Sequence, residues 1–379
     1  MRILHLALCG CVTDGFNYQE NNLTKFNALD GHEVYLVASK WVYNNKGKMV
    51  YEDRSDYVYN NVHFIRLDIK GKNDFLRKLK RYNNLYETLE MINPDLILCH
   101  GVQFVDIKVL VKYLKKHKNV KMYADNHADF VNSATNFLSK NILHKVIWRH
   151  YSNMLIPYAT KFFGVLPARV NFLNEVYKIP KDKIELLVMG ADDELVQKAR
   201  LEDKTPIKEK LGITQDDFVI VTGGKIDFKK NTHLLMDAVN QIDNKNLKLV
   251  IFGSVDESIL DTFNSKLSDK VKYAGWMNSY ESYVYFDMAD LVVFPGGHSV
   301  YWEQTAGQGK PLMVKCWPGV NHIDYNGNVI YLKEDTSEEI KKNIEYLINN
   351  KDKYNDMKNA AEKASINFSY QEISRRYTK

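Results

Sequence analysis

The sequence predicts an α/β protein of two similar domains, each a mostly parallel β-sheet with helices on both faces. Short apolar runs alternate with amphipathic helical stretches along the whole 379-residue chain, which is the pattern of strand–helix–strand units. Domains usually have about 100–200 residues, so this length fits two of them. Hydrophobic residues make up 45% and charged residues 26%, which is typical of a globular protein and not of a disordered one.

Apolar runs of strand length mark six candidate strands in each half. Those of the first half are Ile3–Cys9, Val34–Ala38, Val62–Leu67, Leu96–Cys99, Lys121–Ala124 and Lys161–Val165. Those of the second half are Phe218–Thr222, Leu247–Phe252, Val271–Tyr273, Leu291–Phe294, Pro311–Val314 and Val329–Leu332. The clearest helical period is at Asp74–Met91, with Asp74 as the N-cap, and three helices are predicted at the end, at Ser337–Asn350, Lys353–Ala364 and Tyr370–Tyr377.

A polar, charged stretch at Gly190–Pro206 separates the two halves. We interpret it as a break between domains and as a hinge. In sheets of this kind, ligands bind outside the carboxyl ends of the strands. The sequence therefore predicts that two such domains enclose a binding cleft.

Charge and cysteine content narrow the function. The formal net charge of +5 is small for this length, so it does not indicate a nucleic-acid partner. Four scattered cysteines without metal-ligand spacing are predicted to be reduced core residues, which fits a cytoplasmic protein. The apolar N-terminus reads as a strand and not as a signal peptide, and no run approaches the ~18 apolar residues that would span a bilayer.

Basic residues concentrate in the first half of the chain. They are Lys72, Arg77, Lys78, Lys80, Arg81, Lys108, Lys112, Lys115, Lys116, Lys118 and Lys121. A basic surface can meet anionic lipid or an acidic acceptor, although a solvated helix face has the same pattern. An anionic membrane surface is therefore one predicted partner, with the protein peripheral on the inner face of the cell membrane.

The first candidate binding motif follows the strand Phe218–Thr222. Gly223 and Gly224 are interpreted as a turn into a basic loop, which carries Lys225 and Lys230 at the mouth of the next helix. Glycine lets a backbone approach a ligand closely, and a helix N-terminus favours an anion. The pattern suits a diphosphate, with a solvated basic turn as the alternative.

The second candidate motif follows the strand Leu291–Phe294. A Pro-Gly-Gly turn leads into a helix, and the amides of Gly297, His298 and Ser299 are predicted to bind phosphate or sugar hydroxyls. Glu303, in the first turns of that helix, can accept two hydrogen bonds from a ribose diol. Alternatively, Glu303 only stabilises the helix dipole.

The order of these motifs resembles the retaining GT-B glycosyltransferases of the family-4 type. That family has a Gly-Lys or Gly-Arg pair and a Lys five residues later, here Gly224-Lys225 and Lys230. The other matching segments are Phe252-Gly253-Ser254, Tyr273-Ala-Gly-Trp276, Ala289-Asp290-Leu-Val-Val-Phe-Pro295, and Glu303 followed by Gly309-x-Pro311. The resemblance implies that Lys225 and Lys230 stabilise the leaving diphosphate, that Glu303 holds the ribose, and that backbone groups near Gly275–Met277 hold the base.

The first half resembles the family at fewer positions. The loop Gly15-Phe-Asn-Tyr-Gln-Glu20 stands where the family approaches the donor phosphate, and His127 matches a histidine that faces the donor sugar. The catalytic residues implied are His127, Lys225, Lys230 and Glu303. The donor-binding residues implied are Gly15, Asn17, Gly224, Gly253, Trp276, Met277, Gly296, Gly297, His298 and Ser299.

One position departs from the family. Family members have two glutamates around this loop, separated by seven residues, and Pro295 stands in place of the first, which contacts the donor sugar. We hypothesise that His298 takes over this contact. The departure also leaves open a catalytically inactive relative.

The resemblance implies two Rossmann-like domains with their sheets facing a central cleft. The acceptor domain is expected at residues 1–190 and the nucleotide-sugar domain at residues 191–365. A helix at residues 366–379 is expected to cross back to the acceptor domain. The expected reaction is the retaining transfer of a sugar from a nucleotide diphosphate, UDP rather than GDP, to a hydroxyl of a glycan or lipid-linked acceptor. It is expected to need neither a metal nor a cofactor, and to serve bacterial polysaccharide synthesis. The alternatives are an inactive GT-B subunit or glycan-binding partner, and a nucleotide-sugar epimerase.

Overall fold

The computed structural model describes residues 1–44, 48–71 and 77–379. Their contacts define two compact units. The first unit contains Met1–Val188 together with Ile373–Lys379, and the second contains Met189–Glu372. Among the described residues, no helix is long and apolar enough to cross a membrane.

The strands of the first unit build one large sheet and one small hairpin. They are β1 (Arg2–Ala7), β2 (Glu33–Ser39), β3 (Trp41–Tyr43), β4 (Met49–Tyr51), β5 (Asp56–Tyr59), β6 (Val62–Leu67), β7 (Leu96–Cys99), β8 (Lys121–Asn126), β9 (Ala159–Gly164) and β10 (Ile184–Leu186). The described part of the large sheet has the order β10-β9-β8-β7-β1-β2-β6-β5. Its pairs are parallel except for the edge strand β5, which runs antiparallel to β6, and β3 pairs only with β4.

Helices cover both faces of this sheet. They are α1 (Gln19–Leu29), α2 (Leu85–Ile92), α3 (Ile107–Lys116), a π-helix (Ser139–Trp148), α4 (Arg149–Asn153) and α5 (Pro167–Glu175). The central strands are buried on both sides, as expected when a parallel sheet is covered on both faces. This explains why β1, β2 and β7 read as continuous apolar runs.

The helix predicted at Asp74–Met91 is interrupted, because residues 77–78 and Leu85–Ile92 are helical but residues 79–84 are not. Lys80 and Asn84 have φ angles of 52° and 55°, which a right-handed helix does not permit, and α2 begins only at Leu85. Between them, Tyr82 is buried, with its hydroxyl donating to the Leu8 carbonyl at 2.8 Å. The apolar residues of this segment are therefore spaced as in a helix, but they pack into the core from a non-helical backbone. The predicted N-cap, Asp74, lies outside the described residues, as does Lys72.

The second unit has a doubly wound parallel sheet. Its strands are β11 (Phe218–Ile226), β12 (Leu247–Val255), β13 (Val271–Gly275), β14 (Leu291–Phe294), β15 (Leu312–Lys315) and β16 (Val329–Leu332). They lie in the order β13-β12-β11-β14-β15-β16. The helices are α6 (Asp193–Leu201), α7 (Thr205–Leu211), α8 (Thr232–Gln241), α9 (Leu260–Ser265), α10 (Ser279–Asp287), α11 (Tyr301–Gly307), α12 (Ser337–Asn349) and α13 (Lys351–Ala364). A last helix, α14 (Tyr370–Arg375), begins in this unit and ends in the first.

The stretch Gly190–Pro206, predicted to be a linker and hinge, is mostly helix. The Asp192 side chain caps α6 by accepting from the Glu194 amide at 3.0 Å, and Val196 and Ala199 pack in a buried cluster with Tyr283. The polar residues of this stretch are thus the cap and the solvent face of a helix. The stretch belongs to the second unit and is not a linker.

The end of the chain belongs to the first unit. The Arg375 guanidinium pairs with the Asp30 carboxylate, with Nε–Oδ2 and Nη2–Oδ1 distances of 2.8 and 2.7 Å. The Tyr377 side chain is buried, and its hydroxyl donates to Asn27 Oδ1 at 2.8 Å. A bidentate ion pair and a buried hydrogen bond therefore attach the last residues to α1 and its end.

Candidate active site

The strand order of the second unit reverses between β11 and β14, and such a reversal is where doubly wound sheets bind ligands. A cavity of about 170 Å³ lies at the carboxyl ends of these two strands. It is lined by Thr222, Gly223, Lys225, Lys230, Thr232, Phe294, Pro295, Gly296, Gly297, His298 and Ser299. The two motifs singled out in the sequence therefore meet in one cavity.

Gly223 and Gly224 do not form the predicted turn. β11 continues through both glycines to Ile226 and stays paired with β12, so that Gly224 faces Gly253. These two residues have φ angles of 113° and 122°, and a Cβ on Gly253 would collide with the Gly224 carbonyl. The glycines allow the backbones of two strands to approach closely beside the cavity.

The loop after β14 is also shaped by a close approach. A Cβ on Gly296 would collide with the backbone of Lys229 and Lys230. The Gly297 amide donates to the Lys229 carbonyl at 3.3 Å, so it is not available for a ligand. For the amides of His298 and Ser299, the described residues provide no backbone acceptor. These two amides remain as candidate donors to an anion.

Lys230 braces this loop from inside the cavity. Its Nζ donates to the carbonyls of Gly297 at 2.8 Å and His298 at 3.0 Å. Burial lowers the pKa of Lys230, because desolvation disfavours the charged form. An ammonium has three donor hydrogens, so one remains for a ligand.

Lys225 is in a different environment. Its side chain is 59% exposed, and its Nζ lies 3.3 Å from Asp256 Oδ2 and 3.5 Å from Asp227 Oδ2. The hydrogen bond with Asp256 and the charges of both carboxylates raise the pKa of Lys225. Its positive charge is therefore shared with two acidic groups at the mouth of the cavity.

Glu303 lies in the first turn of α11, but it is fully buried, so a helix-dipole role alone does not describe it. Its Oε1 accepts hydrogen bonds from His298 Nε2 and His322 Nε2, both at 2.8 Å. Burial raises the pKa of Glu303, but the attraction of His298 and the hydrogen bonds from both histidines outweigh it and lower the pKa to about 2. Glu303 is thus a carboxylate held by two imidazoles.

This cluster contains polar atoms without partners. Among the described residues, no hydrogen-bond partner is found for Glu303 Oε2 or for His322 Nδ1, and both atoms are buried. Buried polar atoms are normally hydrogen-bonded, so this cluster has unused hydrogen-bonding capacity. The hypothesis that His298 contacts the sugar is restricted, because its Nε2 is already used by Glu303.

The residues predicted to hold the base follow β13. Trp276 is 69% exposed, and Met277 is half-buried. Asn278, immediately after them, caps α10 in a reciprocal capping box with Glu281. The segment is therefore fixed by the start of a helix at the carboxyl edge of the sheet, and the Trp276 ring is open to solvent.

In the first unit, the strand order reverses between β1 and β7. Gly15, with a φ of 73°, and Asn17, whose Oδ1 accepts from Asn22 at 2.6 Å, lie in the loop after β1. His127 follows β8 directly and is one-third exposed, with its Nε2 3.3 Å from Asp125 Oδ1. The predicted residues of the first unit thus surround the corresponding edge of its sheet.

Asp125 is the end of a buried chain of hydrogen bonds. His100 Nδ1 lies 2.6 Å from Asp125 Oδ2, His100 Nε2 lies 2.9 Å from His5 Nδ1, and His5 Nε2 lies 2.9 Å from Asn27 Oδ1. Asn27 Oδ1 only accepts, so His5 donates from Nε2 and accepts at Nδ1. His100 must then donate from Nε2, and its Nδ1 faces the Asp125 carboxylate.

The donor order in this chain makes His100 the hydrogen-bond donor to His5 and pairs its Nδ1 with the Asp125 carboxylate. Burial raises the pKa of Asp125, but the charges of His100 and His127 outweigh it and lower the pKa. Burial, followed by the charge of His100, lowers the pKa of His5 to about 3, so His5 is neutral. A buried ion pair thus lies directly behind His127.

Glu20 also approaches this group. Glu20, His100 and His127 each have a possible ligand atom within 4.8 Å of those of the other two. Both ring nitrogens of His100 are, however, already hydrogen-bonded, to Asp125 and His5. A metal would have to displace one of these bonds, so the residues present do not fit a metal site.

The sequence interpretation did not single out Asp125, His100 or His322. Asp125 lies near the end of β8, two residues before His127, and this spacing was a usable signal because alternate residues of an extended chain share a face. His100 directly follows β7, which pairs with β8 in the sheet. His322 is nineteen residues from Glu303 in a loop without a motif, and only the tertiary fold brings them together.

Residues 203–364 match the family described as "Glycosyl transferases group 1". This segment contains the cavity, Lys230 and Glu303. The second unit therefore carries a glycosyltransferase domain, which confirms the predicted class of enzyme, a glycosyltransferase. None of the curated proteins compared with this chain matches it.

Solved structures similar over nearly the whole chain define the fold. A glycosyltransferase from Rickettsia africae superposes with a TM-score of 0.70 at 17% identity, covering 99% of this chain and 96% of its own. HepE of Anabaena in complex with UDP has a TM-score of 0.68 at 15% identity, covering 100% and 98%. A putative UDP-N-acetylglucosamine 2-epimerase from Listeria monocytogenes has a TM-score of 0.64 at 13% identity, covering 99% and 94%. The fold is GT-B, as predicted.

Proposed function

We propose that this protein is a retaining, metal-independent glycosyltransferase of the family-4 type. It transfers a sugar from a nucleotide diphosphate to a hydroxyl of a glycan or lipid-linked acceptor. The observation that carries the proposal is the cavity at the ends of β11 and β14, where Lys230 and the amides of His298 and Ser299 converge. This cavity lies inside the segment that matches the glycosyltransferase family.

The donor is proposed to be a UDP-sugar. HepE, which shares the fold, was solved with UDP, and this supports a uridine nucleotide over a guanosine one. The diphosphate would occupy the cavity, and the ribose diol would hydrogen-bond Glu303 Oε2, the unpaired carboxylate oxygen. The base would lie against the backbone at Gly275, Trp276 and Met277.

The main requirement of the proposed chemical step is stabilisation of the leaving diphosphate. The bond between sugar C1 and the diphosphate oxygen breaks, the acceptor oxygen bonds to C1 from the same face, and the acceptor proton moves to the departing phosphate. Negative charge grows on the diphosphate, so preorganised donors there stabilise the transition state. Removing one such charge costs roughly 3 kcal/mol, or about a hundredfold in rate.

Two other functions share the fold. An epimerase is among the similar structures, and an inactive subunit is favoured by Pro295 at the position of the family's first glutamate. Analysis of the reaction products distinguishes the transferase, the epimerase and the inactive subunit. A transferase releases the nucleoside diphosphate in an amount equal to the glycosylated acceptor, an epimerase converts the donor without an acceptor, and an inactive subunit does neither.

The proposal is tested by thermal shift with UDP-, GDP-, ADP- and CMP-sugars. We expect stabilisation by one nucleotide class, the uridine class, and its loss in Lys230→Ala. Lys229→Ala is the matched control, because Lys229 is exposed and does not line the cavity. Each variant is compared with its own ligand-free melting temperature, which removes the effect of losing the loop brace. Equal stabilisation of wild type and Lys230→Ala would refute the assigned site.

A further inference from the structure

Residues 130–146 of the first unit expose an unusual amount of apolar surface. The large hydrophobic side chains concerned, with their exposed fractions, are Phe130 40%, Val131 77%, Phe137 75%, Leu138 65%, Ile142 49%, Leu143 37% and Val146 60%. Single exposed hydrophobic residues are normal, whereas a contiguous group marks an interaction site. We call this group the 130–146 surface.

The π-helix Ser139–Trp148 arranges part of this surface on one side. Its hydrogen bonds run from each residue to the fifth along the chain, so residues four or five positions apart share a face. Leu138, Ile142 and Val146 therefore lie together and are exposed, while His144 and Trp148 are buried on the opposite side. The helix has one apolar face in the core of the first unit and another in solvent.

The charge of this segment is of one sign. From residue 130 to residue 174 the sequence contains no Asp or Glu, whereas Lys140, Lys145 and Arg149 lie within or next to the exposed group. Lys140 Nζ lies over the Phe130 ring, 4.8 Å from its centroid. Cationic side chains around exposed aromatic and aliphatic ones are typical of segments that lie in the interface of an anionic bilayer.

The basic stretch Lys108–Lys121, predicted from the sequence to meet anionic lipid or to be a solvated helix face, differs from the 130–146 surface. On α3, Lys108, Lys112, Lys115 and Lys116 are exposed, but the apolar residues of the same helix are buried in the core. Such a helix face can attract anionic lipid, but it has no exposed apolar side chain that could insert into a bilayer. At the 130–146 surface, in contrast, exposed apolar side chains and cations occur together.

The 130–146 surface adjoins the candidate site. Asn132 donates from Nδ2 to the His127 carbonyl at 2.7 Å, and the Asp129 carboxylate accepts from the amides of Val131 and Asn132 at 2.8 Å. Hydrogen bonds thus join the start of the surface to the loop that carries His127. A bilayer bound there would lie close to the candidate acceptor side.

We propose that the 130–146 surface docks the protein on an anionic lipid bilayer, with Phe137, Leu138 and Val131 inserted and Lys140 and Lys145 at the headgroups. This inference names a partner of the proposed enzyme. It is independent of catalysis, because bilayer binding needs neither donor nor acceptor.

The test is flotation of the full chain with vesicles of phosphatidylglycerol and phosphatidylethanolamine in equal amounts. We expect binding that Lys140→Gln/Lys145→Gln weakens about thirtyfold, from about 1 kcal/mol per cation at an anionic surface. Phe137→Ser/Leu138→Ser should weaken it about a hundredfold or more, because two apolar side chains lose their burial. On phosphatidylcholine vesicles, the lysine variant should equal the wild type.

Matched controls come from the second unit. Lys341→Gln/Lys342→Gln removes two helix-surface lysines, and Leu201→Ser removes a leucine that is 87% exposed; both should bind as the wild type does. Val131→Trp should be quenched by brominated lipid, and Leu201→Trp should not. Thermal melting checks that each variant is folded.

Several outcomes would overturn the proposal. These are no binding of the wild type to anionic vesicles, equal binding by wild type and Phe137→Ser/Leu138→Ser, or a dimer in solution that the same variant dissociates. Loss of vesicle binding with unchanged UDP-sugar stabilisation supports the docking surface alone. Loss of nucleotide stabilisation in Lys230→Ala with normal vesicle binding concerns the proposed function alone.

Discussion

His322 offers the sharpest test of the site, because the one hydrogen bond found for its side chain within the described part of the chain goes to Glu303. The His322 side chain is 2% exposed, and its Nε2 lies 2.8 Å from Glu303 Oε1. In His322→Leu this donor is lost, and the buried carboxylate keeps only His298. In His322→Gln an amide N–H can replace the imidazole N–H at similar reach, so it is the matched rescue variant.

The magnitude follows from the pKa of Glu303, which is lowered from 4.5 to about 2. At about 1.4 kcal/mol per pKa unit, this net shift corresponds to about 3 kcal/mol of stabilisation of the folded carboxylate, after the opposing effect of burial is included. Loss of one charge-assisted hydrogen bond should cost about 2 kcal/mol. Because the folded pKa is depressed, this stabilisation is complete above the unfolded pKa of about 4.5 and is lost as the pH falls towards 2.

The assay is guanidinium unfolding of wild type, His322→Leu and His322→Gln, from about pH 7 down to the lowest pH at which the wild type stays folded. We expect His322→Leu to be less stable by about 2 kcal/mol at neutral pH, a difference that shrinks on acidification, and His322→Gln to recover most of it. UDP titration by calorimetry should show weaker binding in His322→Leu and recovery in His322→Gln. Equal stability of His322→Leu and wild type at neutral pH would refute the reasoning.

Two further changes test the glycine contact and the buried ion pair. Gly253→Ala should cost at least about 3 kcal/mol, because its Cβ would meet the Gly224 carbonyl at a φ of 122°. Gly212→Ala, at a φ of 67° with nothing nearby, should cost about 1 kcal/mol, and similar melting temperatures for both variants would contradict the expectation. Asp125→Asn should lower the free energy of unfolding by roughly 3 kcal/mol or more, since it leaves His100 buried without its counter-ion. His127→Asn should lower it by less than half as much. A melting temperature of Asp125→Asn close to that of the wild type would contradict the ion pair.

Strand positions could be predicted from the sequence because the central strands are buried on both faces. Val62–Leu67, Leu96–Cys99, Leu291–Phe294 and Val329–Leu332 have the predicted bounds. β11 runs further than expected, to Ile226, because its glycines serve a close strand approach that looks like a turn in the sequence. The strands β3, β4, β5 and β10, which have only three or four residues each, were missed.

The site could be predicted only where one segment supplies several groups. The glycine loop after β14 and Lys230 belong to local motifs, and both line the cavity. The histidines that hydrogen-bond Glu303 do not both belong to such a local motif. His322 comes from a loop between β15 and β16, and its meeting with Glu303 is a consequence of packing. Hydrogen-bond partners across a fold leave no periodic signal in the sequence.

The two lysines that the family motif pairs have unequal environments, and this changes the electrostatic argument for the cavity. Lys225 is exposed and lies near two carboxylates, so part of its field is cancelled before a ligand arrives. Lys230 is half-buried and hydrogen-bonded to two carbonyls, so its position is fixed and its charge is less screened by water than that of Lys225. A diphosphate placed between them would gain more from Lys230 and the adjacent amides, because preorganised donors in a low-dielectric site need not reorganise during the reaction.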